Sequence, residues 1–238
     1  VPRPAADLAA FHGPLMVCGF FGTVISLERA VALGRGWSYL GPLAAGAGGL
    51  ALILGAPLGA AQALLALGSA VLLAGSTSVF LRQRALFTFT LAAGAASWLA
   101  GNLLWLAGLS VHHVVPWWIG FLVLTIAGER LELSRFLPPS PTAQRIFVAV
   151  LAGQTFGMAL SAHLLGAALL ALAAWLLRQD IARRTVKESG LTRFIAVCLL
   201  SGYVWLALAG AIMLAAGLAP GSFAYDAALH ALMLGFVF

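Results

Sequence analysis

The sequence predicts an all-α fold: a polytopic transmembrane helix bundle of about nine helices, with the N-terminus outside. The first observation is composition, because 62% of the 238 residues are hydrophobic, 8% are charged and the mean hydropathy is +1.03. A soluble domain is about 45–50% apolar and about 25% charged, so a water-soluble enzyme, a disordered tail and a disulfide scaffold are excluded. The second observation is that long apolar stretches follow one another along the chain without the period-two alternation of a membrane β-barrel.

Nine apolar stretches define the predicted helices, and breakers such as Gly34-Arg35-Gly36 and Ala219-Pro220-Gly221 separate them. In order, the stretches are 11–33, 40–57, 60–81, 86–109, 116–136, 143–160, 163–177, 191–218 and 224–238. The stretch around Ser161 is too long for one untilted helix, so it is interpreted as two helices joined by a tight turn. We treat 1–238 as a single transmembrane domain. Because the chain starts at Val1 and stops inside an apolar run, we expect it to be incomplete at the C-terminus or at both ends.

The basic residues predict the orientation. With the N-terminus outside, the inner connections and helix ends hold every Lys and Arg except Arg3. These residues are Arg29, Arg35, Arg82, Arg84, Arg130, Arg135, Arg145, Arg178, Arg183, Arg184, Lys187 and Arg193. Lys and Arg collect on the cytoplasmic side of membrane proteins, so the basic loops are predicted to be cytoplasmic. The net charge of +6 is thereby attributed to topology, and nucleic acid is discounted as a partner.

The same topology places all five histidines on the outer side, and two of them share a pattern. His12 is followed by Met16 and Gly19, and His230 is followed by Met233 and Gly235, each Gly preceding a Phe. Residues three or four apart share a helix face, so each Met can neighbour its His. Imidazole and thioether both bind heme iron or copper. The two glycines would let a flat macrocycle or a neighbouring helix approach.

Several further residues belong to this outer group. Asp226, four residues before His230, can accept a hydrogen bond from the imidazole and fix its tautomer, or it can cap the last helix. His112, His113 and His163 are additional candidate metal ligands. The alternative for all five histidines is an ordinary position at the headgroup level, with methionine as a filler of the core.

A second cluster is predicted at the inner ends of two helices. Acids at membrane depth are costly and usually paired. The cluster consists of Glu28, Arg29, Glu129, Arg130, Glu132 and Arg135. The two Glu-Arg steps can pair between helices, and Glu132 can pair with Arg135 at i,i+3. These contacts form either structural ion pairs or a proton entry point.

Isolated polar residues are predicted to bond neighbouring helices, and two tryptophans are predicted to anchor the outer interface. The polar residues are Asn102, Gln154, Thr155 and Tyr203. Trp117 and Trp118, which follow Pro116, stand where an outer aromatic belt belongs.

The segment from His12 to Thr23, the Glu28-Arg29 step and the segment from Ala228 to Phe236 together resemble the NnrS-like family. The start of the first helix also resembles, more distantly, a heme-binding helix of heme-copper oxidase subunit I. Members of the NnrS-like family are polytopic bacterial membrane proteins described as containing heme and copper and associated with nitric oxide during denitrification. The resemblance implies a heme or metal role for His12 and His230. The chain departs from the family pattern in having nine helices where members have about twelve, and in lacking a His-x-His near the first helix.

The expected function is therefore that of a bacterial inner-membrane protein with heme b, copper or both near the periplasmic face. It would serve redox, electron-transfer or nitric-oxide-related chemistry, with His12 and His230 as axial ligands. Its expected partners are the bilayer and a redox protein or other membrane subunits. Two alternatives stay open, namely a transporter or channel, and a cofactor-free structural subunit of a larger membrane complex. No catalytic residue is predicted.

Overall fold

The computed structural model describes residues 9–136 and 140–238, and these residues form helices and connections without a strand. Nine helical segments are labelled here in chain order. They are α1 His12–Leu33, α2 Leu40–Ile53, α3 Leu58–Arg82, α4 Leu86–Leu106, α5 Val111–Leu133, α6 Pro141–Leu160, α7 Ala162–Gln179, α8 Gly190–Ala216 and α9 Phe223–Val237. A single helical turn, Ala182–Thr185, lies between α7 and α8. The predicted all-helical fold is confirmed, whereas Arg3 lies outside the described residues.

Seven of these helices are long and apolar enough to cross a membrane, all except α2 and α9. Helix α2 has 14 residues, which at about 1.5 Å per residue spans about 21 Å. The hydrocarbon core of a bilayer is about 30 Å thick. Seven helices therefore support the class of multi-pass membrane protein, and the nine membrane crossings remain a prediction.

The break predicted at Ser161 is confirmed. Helix α6 ends at Leu160 and α7 begins at Ala162, with Ser161 in an extended conformation at φ −162° and ψ 127° between them. At the end of α1, Gly34 takes a left-handed conformation at φ 60°, and its N–H donates to the carbonyls of Ala30 and Val31. Glycine suits this position because it lacks the Cβ that makes positive φ costly.

Two helices contain an uncommon backbone geometry. Within α1, residues Leu15–Phe21 form a π-helix, and within α9, residues Ala231–Val237 form another. A π-helix closes its hydrogen bonds from i to i+5 and is rare, so its occurrence in two separate helices requires a local reason.

The chain divides into two compact units, Val1–Phe121 and Leu122–Phe238, with the boundary inside α5. In the first unit, α1 packs against α2 and α3, α2 against α3, and α3 against α4. Small residues allow close approach, as expected for helices in lipid. A Cβ added to Gly68 would lie 3.0 Å from the backbone nitrogen of Ala45, so α2 and α3 are nearly in backbone contact.

In the second unit, α6 packs against α7, α7 against α8, and α8 against α9. Glycines again lie at the crossings, because a Cβ on Gly210 would lie 2.7 Å from the backbone nitrogen of Leu170. The indole of Trp175 donates from Nε1 to the carbonyl of Ala143 over 2.9 Å. This bond sets the start of α6 beside the last turn of α7, so both termini lie at one end of the unit.

Candidate functional site

The two His-Met-Gly-Phe segments coincide with the two π-helices. In α1 the π-helix begins three residues after His12 and contains Met16 and Gly19. In α9 it begins directly after His230 and contains Met233 and Gly235. The sequence echo therefore corresponds to a shared and unusual backbone, which sequence periodicity alone did not predict.

The imidazole of His230 is held by its own helix. Its Nδ1 lies 2.7 Å from the backbone carbonyl oxygen of Asp226. Since a carbonyl oxygen only accepts, Nδ1 carries the proton in the neutral ring, and Nε2 keeps its lone pair for a ligand. Metal-binding histidines commonly have such a fixed tautomer. The acceptor is the backbone carbonyl of Asp226 and not its side chain, so the predicted bond to the Asp226 carboxylate is wrong. The N-terminal cap of α9 is Ser222, whose Oγ accepts from the N–H of Tyr225 over 3.1 Å.

His12 stands at the first turn of α1 and is exposed, and within the described part of the chain its ring makes no hydrogen bond. Met16, four residues on, is half-buried, as is Met233 in α9. Each motif thus presents an exposed imidazole on a helix whose methionine is half-buried.

The structure shows what approaches each of the two glycines. Gly19 faces Gly49 of α2, and a Cβ placed on Gly49 would lie 3.1 Å from the Cα of Gly19. Gly235 faces the indole of Trp205 on α8, and a Cβ there would collide with the base of that side chain. Of the two roles considered for these glycines, the approach of a neighbouring helix is the one seen in each unit.

The other three histidines lie at exposed positions near helix termini. Nδ1 of His163 lies 2.8 Å from the carbonyl of Leu214, so this ring links the start of α7 to the last turn of α8. Nδ1 of His113 lies 2.8 Å from Oγ of Ser110, three residues earlier. His112 is exposed beside it. Within residues 9–136 and 140–238, no three His, Cys, Asp or Glu side chains are grouped to hold a metal ion.

At the opposite end of the second unit, Arg130 is bound to an acid to which the sequence analysis gave no role. Its Nε and Nη2 atoms donate to the two carboxylate oxygens of Asp180, over 2.7 and 2.9 Å. Asp180 also accepts from the hydroxyl of Tyr203 over 2.9 Å and from the N–H of Ala182 over 2.6 Å. The Asp180 side chain is 0% exposed and that of Arg130 is 12% exposed. This buried pair ties α5, α7 and α8 together.

The remaining members of the inner cluster are more open to solvent. Glu132 and Arg135 form an exposed i,i+3 pair with 3.7 Å between the charged groups, as their spacing predicts. Glu28 is exposed, and Arg29 and Glu129 are half-buried. Asp180 was missed because one Asp at the end of an apolar stretch has no periodic signal, and its partner is 50 residues away.

A buried polar network forms in the first unit around Asn102. Its Oδ1 accepts from Nε1 of Trp118 over 3.1 Å and from the thiol of Cys18 over 3.3 Å. Its Nδ2 donates to the carbonyl of Leu65 over 3.1 Å and to Oγ of Ser69 over 3.2 Å. The prediction that Asn102 bonds neighbouring helices is confirmed. The prediction that Trp118 belongs to an interfacial belt is wrong, because its ring is 1% exposed and bonded inside the unit.

The other predicted interhelical polar residues have mixed outcomes. Tyr203 bonds Asp180 as described, so its prediction is confirmed. Thr155 donates to the carbonyl of Leu151 in its own helix over 2.9 Å, so its prediction is wrong. Gln154 is 0% exposed, and neither its amide nitrogen nor its amide oxygen has a partner within the described residues. The short hydroxyl side chain of a threonine can donate to a backbone carbonyl of its own helix, which explains the error at Thr155.

Fold and composition together define a multi-pass helical membrane protein with basic residues at helix ends. The chain belongs to the family described as "Domain of unknown function (DUF8744)", whose family model matches residues 1–238. No curated protein and no solved structure matches the chain.

Proposed function

We propose that this protein is a multi-pass bacterial inner-membrane protein whose two His-Met-Gly-Phe segments bind heme b, copper or both near the periplasmic face. His12 and His230 supply the metal ligands, and the bound group serves redox or nitric-oxide-related chemistry. The proposal combines the likeness to the NnrS-like family with the observation that carries it: both segments adopt a π-helix, in α1 and in α9.

The shared backbone matters because π-helical turns inside α-helices are rare and occur frequently at functional sites. Such a turn inserts a residue into the helix and shifts the side chains that follow it, at a cost in regular hydrogen bonding. A purely structural histidine at a helix end needs no such insertion. One π-helix begins three residues after His12 and the other directly after His230, and each contains the methionine of its segment, which favours a role that requires the histidine and the methionine in a defined relation.

The state of the imidazoles also fits iron or copper. Nδ1 of His230 donates to the carbonyl of Asp226, which leaves Nε2 as the ligand atom and holds the ring in one orientation. His12 is free of hydrogen bonds within the described residues and is exposed. The glycines do not supply the space for a macrocycle, since Gly49 and Trp205 occupy it.

The roles of the protein groups follow from this arrangement. A bound heme b supplies one-electron transfer, with a potential set by its axial ligands and the polarity around it. Asp226 fixes the tautomer of His230 through its carbonyl. Met16 and Met233 offer soft thioether sulfurs that suit copper in its reduced state.

The test is an optical spectrum with metal analysis of protein purified from heme-replete, copper-supplemented cells. We expect a Soret band or stoichiometric copper, and we expect His12→Ala and His230→Ala each to remove or shift that signal. His113→Ala is the matched control, because His113 is followed by regular α-helix without a methionine, and its replacement should leave the signal unchanged. A colourless, metal-free wild-type protein would overturn the proposal.

A fold control separates ligation from stability. His12 and His230 are both exposed, so their alanine variants should unfold at nearly the wild-type temperature. A lost Soret or copper signal in a variant that unfolds much earlier would report damage to the fold and count against direct ligation.

A further inference from the structure

The connection between α7 and α8 carries the densest group of cations in the second unit. Between Arg178 and Arg193 stand five basic residues, and all five are exposed. They are Arg178, Arg183, Arg184, Lys187 and Arg193. Within the part of the chain that the structure describes, none of these five forms an ion pair. Glu188 is the one exposed acid between Arg178 and Arg193, so the surface of this connection is strongly positive.

A hydrogen bond and packing against α8 hold the backbone of this connection in place. The Asp180 carboxylate accepts from the N–H of Ala182 over 2.6 Å, which starts the turn Ala182–Thr185. Ala182 is 0% exposed, and this turn packs against α8. Because Arg130 neutralises Asp180 inside the protein, that acid does not offset the outer cations. Arg183 is folded back, with Nη1 donating to the carbonyl of Arg178 over 2.9 Å.

The location of the connection fixes its environment. It joins Ala162–Gln179 and Gly190–Ala216, two helices long and apolar enough to span a membrane. A segment between two such helices lies at one face of the bilayer, at the depth of the lipid headgroups. Arg145 belongs to the same face, because the bond from Trp175 to Ala143 sets the start of α6 beside the end of α7.

We propose that this surface, formed by Arg178, Arg183, Arg184, Lys187 and Arg193, is a binding site for the phosphate headgroups of anionic membrane lipids. Clusters of Lys and Arg directly beside a membrane helix bind acidic lipid headgroups. Topology alone requires only that positive charge lie on one side. The bond from Ala182 to Asp180 and the packing of the turn Ala182–Thr185 against α8 hold the backbone of this connection in place, which a purely topogenic loop does not need. This proposal is independent of the heme and copper proposal.

The test measures lipid binding to the purified chain in neutral detergent, by native mass spectrometry during titration with phosphatidylglycerol or phosphatidylcholine. We expect a clear preference for phosphatidylglycerol. Each cation near a charged membrane surface contributes about fivefold in affinity at low salt. The variant R183Q/R184Q/K187Q should therefore weaken phosphatidylglycerol binding by up to about 100-fold and leave phosphatidylcholine binding unchanged.

The matched control is R82Q/R84Q, which removes two exposed cations from the connection between α3 and α4. It should bind phosphatidylglycerol nearly as the wild type does. Equal losses in both variants, or no loss in the triple variant, would overturn the proposal. A second variant, R178Q/R193Q, should show an intermediate loss, and it serves as the deciding variant if the triple variant does not fold.

One further arm distinguishes a lipid from free phosphate. Millimolar inorganic phosphate should displace phosphatidylglycerol no better than sodium chloride of the same ionic strength. Selective displacement by phosphate would overturn the assignment to lipid and indicate a soluble phosphate ligand.

Discussion

Replacing Arg130 by methionine should destabilise the protein strongly, because it leaves the carboxylate of Asp180 buried without its cation. The side chain of Asp180 is 0% exposed and accepts two guanidinium bonds of 2.7 and 2.9 Å. A hydrogen bond to a charged group contributes about 1.5–3 kcal/mol. Breaking a buried ion pair by removing one partner costs about 3–5 kcal/mol. Two such bonds contribute about 3–6 kcal/mol, which overlaps the range for a broken buried pair, so we expect R130M to lower the free energy of unfolding by about 3–5 kcal/mol.

The chain offers a matched control in the exposed pair of Glu132 and Arg135. Their side chains are 39% and 53% exposed, and the charged groups are 3.7 Å apart. An exposed helical ion pair contributes about 0.3–0.5 kcal/mol, so Glu132→Gln should change stability by no more than that. R130K, which keeps the charge but loses the two-pronged geometry, should lie between R130M and the control.

The assay is unfolding of the detergent-solubilised protein, followed by circular dichroism during titration with a denaturing detergent and repeated as a thermal melt. The reasoning would be refuted if R130M lost no more stability than the Glu132→Gln control. That result would mean that water or lipid headgroups reach Asp180 and replace the guanidinium.

The remaining predictions concern packing and buried polar groups. G235A should lower the free energy of unfolding by about 1–3 kcal/mol, because the added Cβ would collide with the base of the Trp205 side chain. G19A should lower it less, since its Cβ would make an ordinary 3.4 Å contact with the Cα of Gly49. Thermal melts of the two variants test this difference. N102A should cost about 1–3 kcal/mol by leaving buried donors unsatisfied, as measured by detergent unfolding, and an unchanged midpoint would contradict this. Gln154→Leu should be neutral or stabilising in the same assay, because neither amide atom has a partner in the described residues, and a loss like that of N102A would indicate a hidden ligand or water.

Much of the fold followed from the sequence because the hydrophobic effect acts on long apolar runs. The helical class and the break at Ser161 needed only composition, run length and breaker residues. Helix ends were placed to within a few residues, for example at Leu86 for α4 and at Leu160 for α6. These features depend on neighbouring residues along the chain, which a sequence displays directly.

The sites were less predictable because their partners are distant along the chain. The i,i+3 contact of Glu132 with Arg135 was predictable, since helix geometry alone creates it. The bond between Trp118 and Asn102 was not, because it depends on how α4 and α5 face each other. Trp118 resembles an interfacial anchor in the sequence and becomes a buried donor only through that packing.

The sequence by itself determined that this protein is helical and apolar, and it marked His12 and His230 as a repeated pattern. Only the tertiary structure decided that both patterns lie on π-helices and that Arg130 is held by Asp180. The physical reason is that hydropathy and helical periodicity depend on residues that are neighbours along the chain. A backbone insertion or a buried ion pair depends instead on which side chains the folded helices bring together.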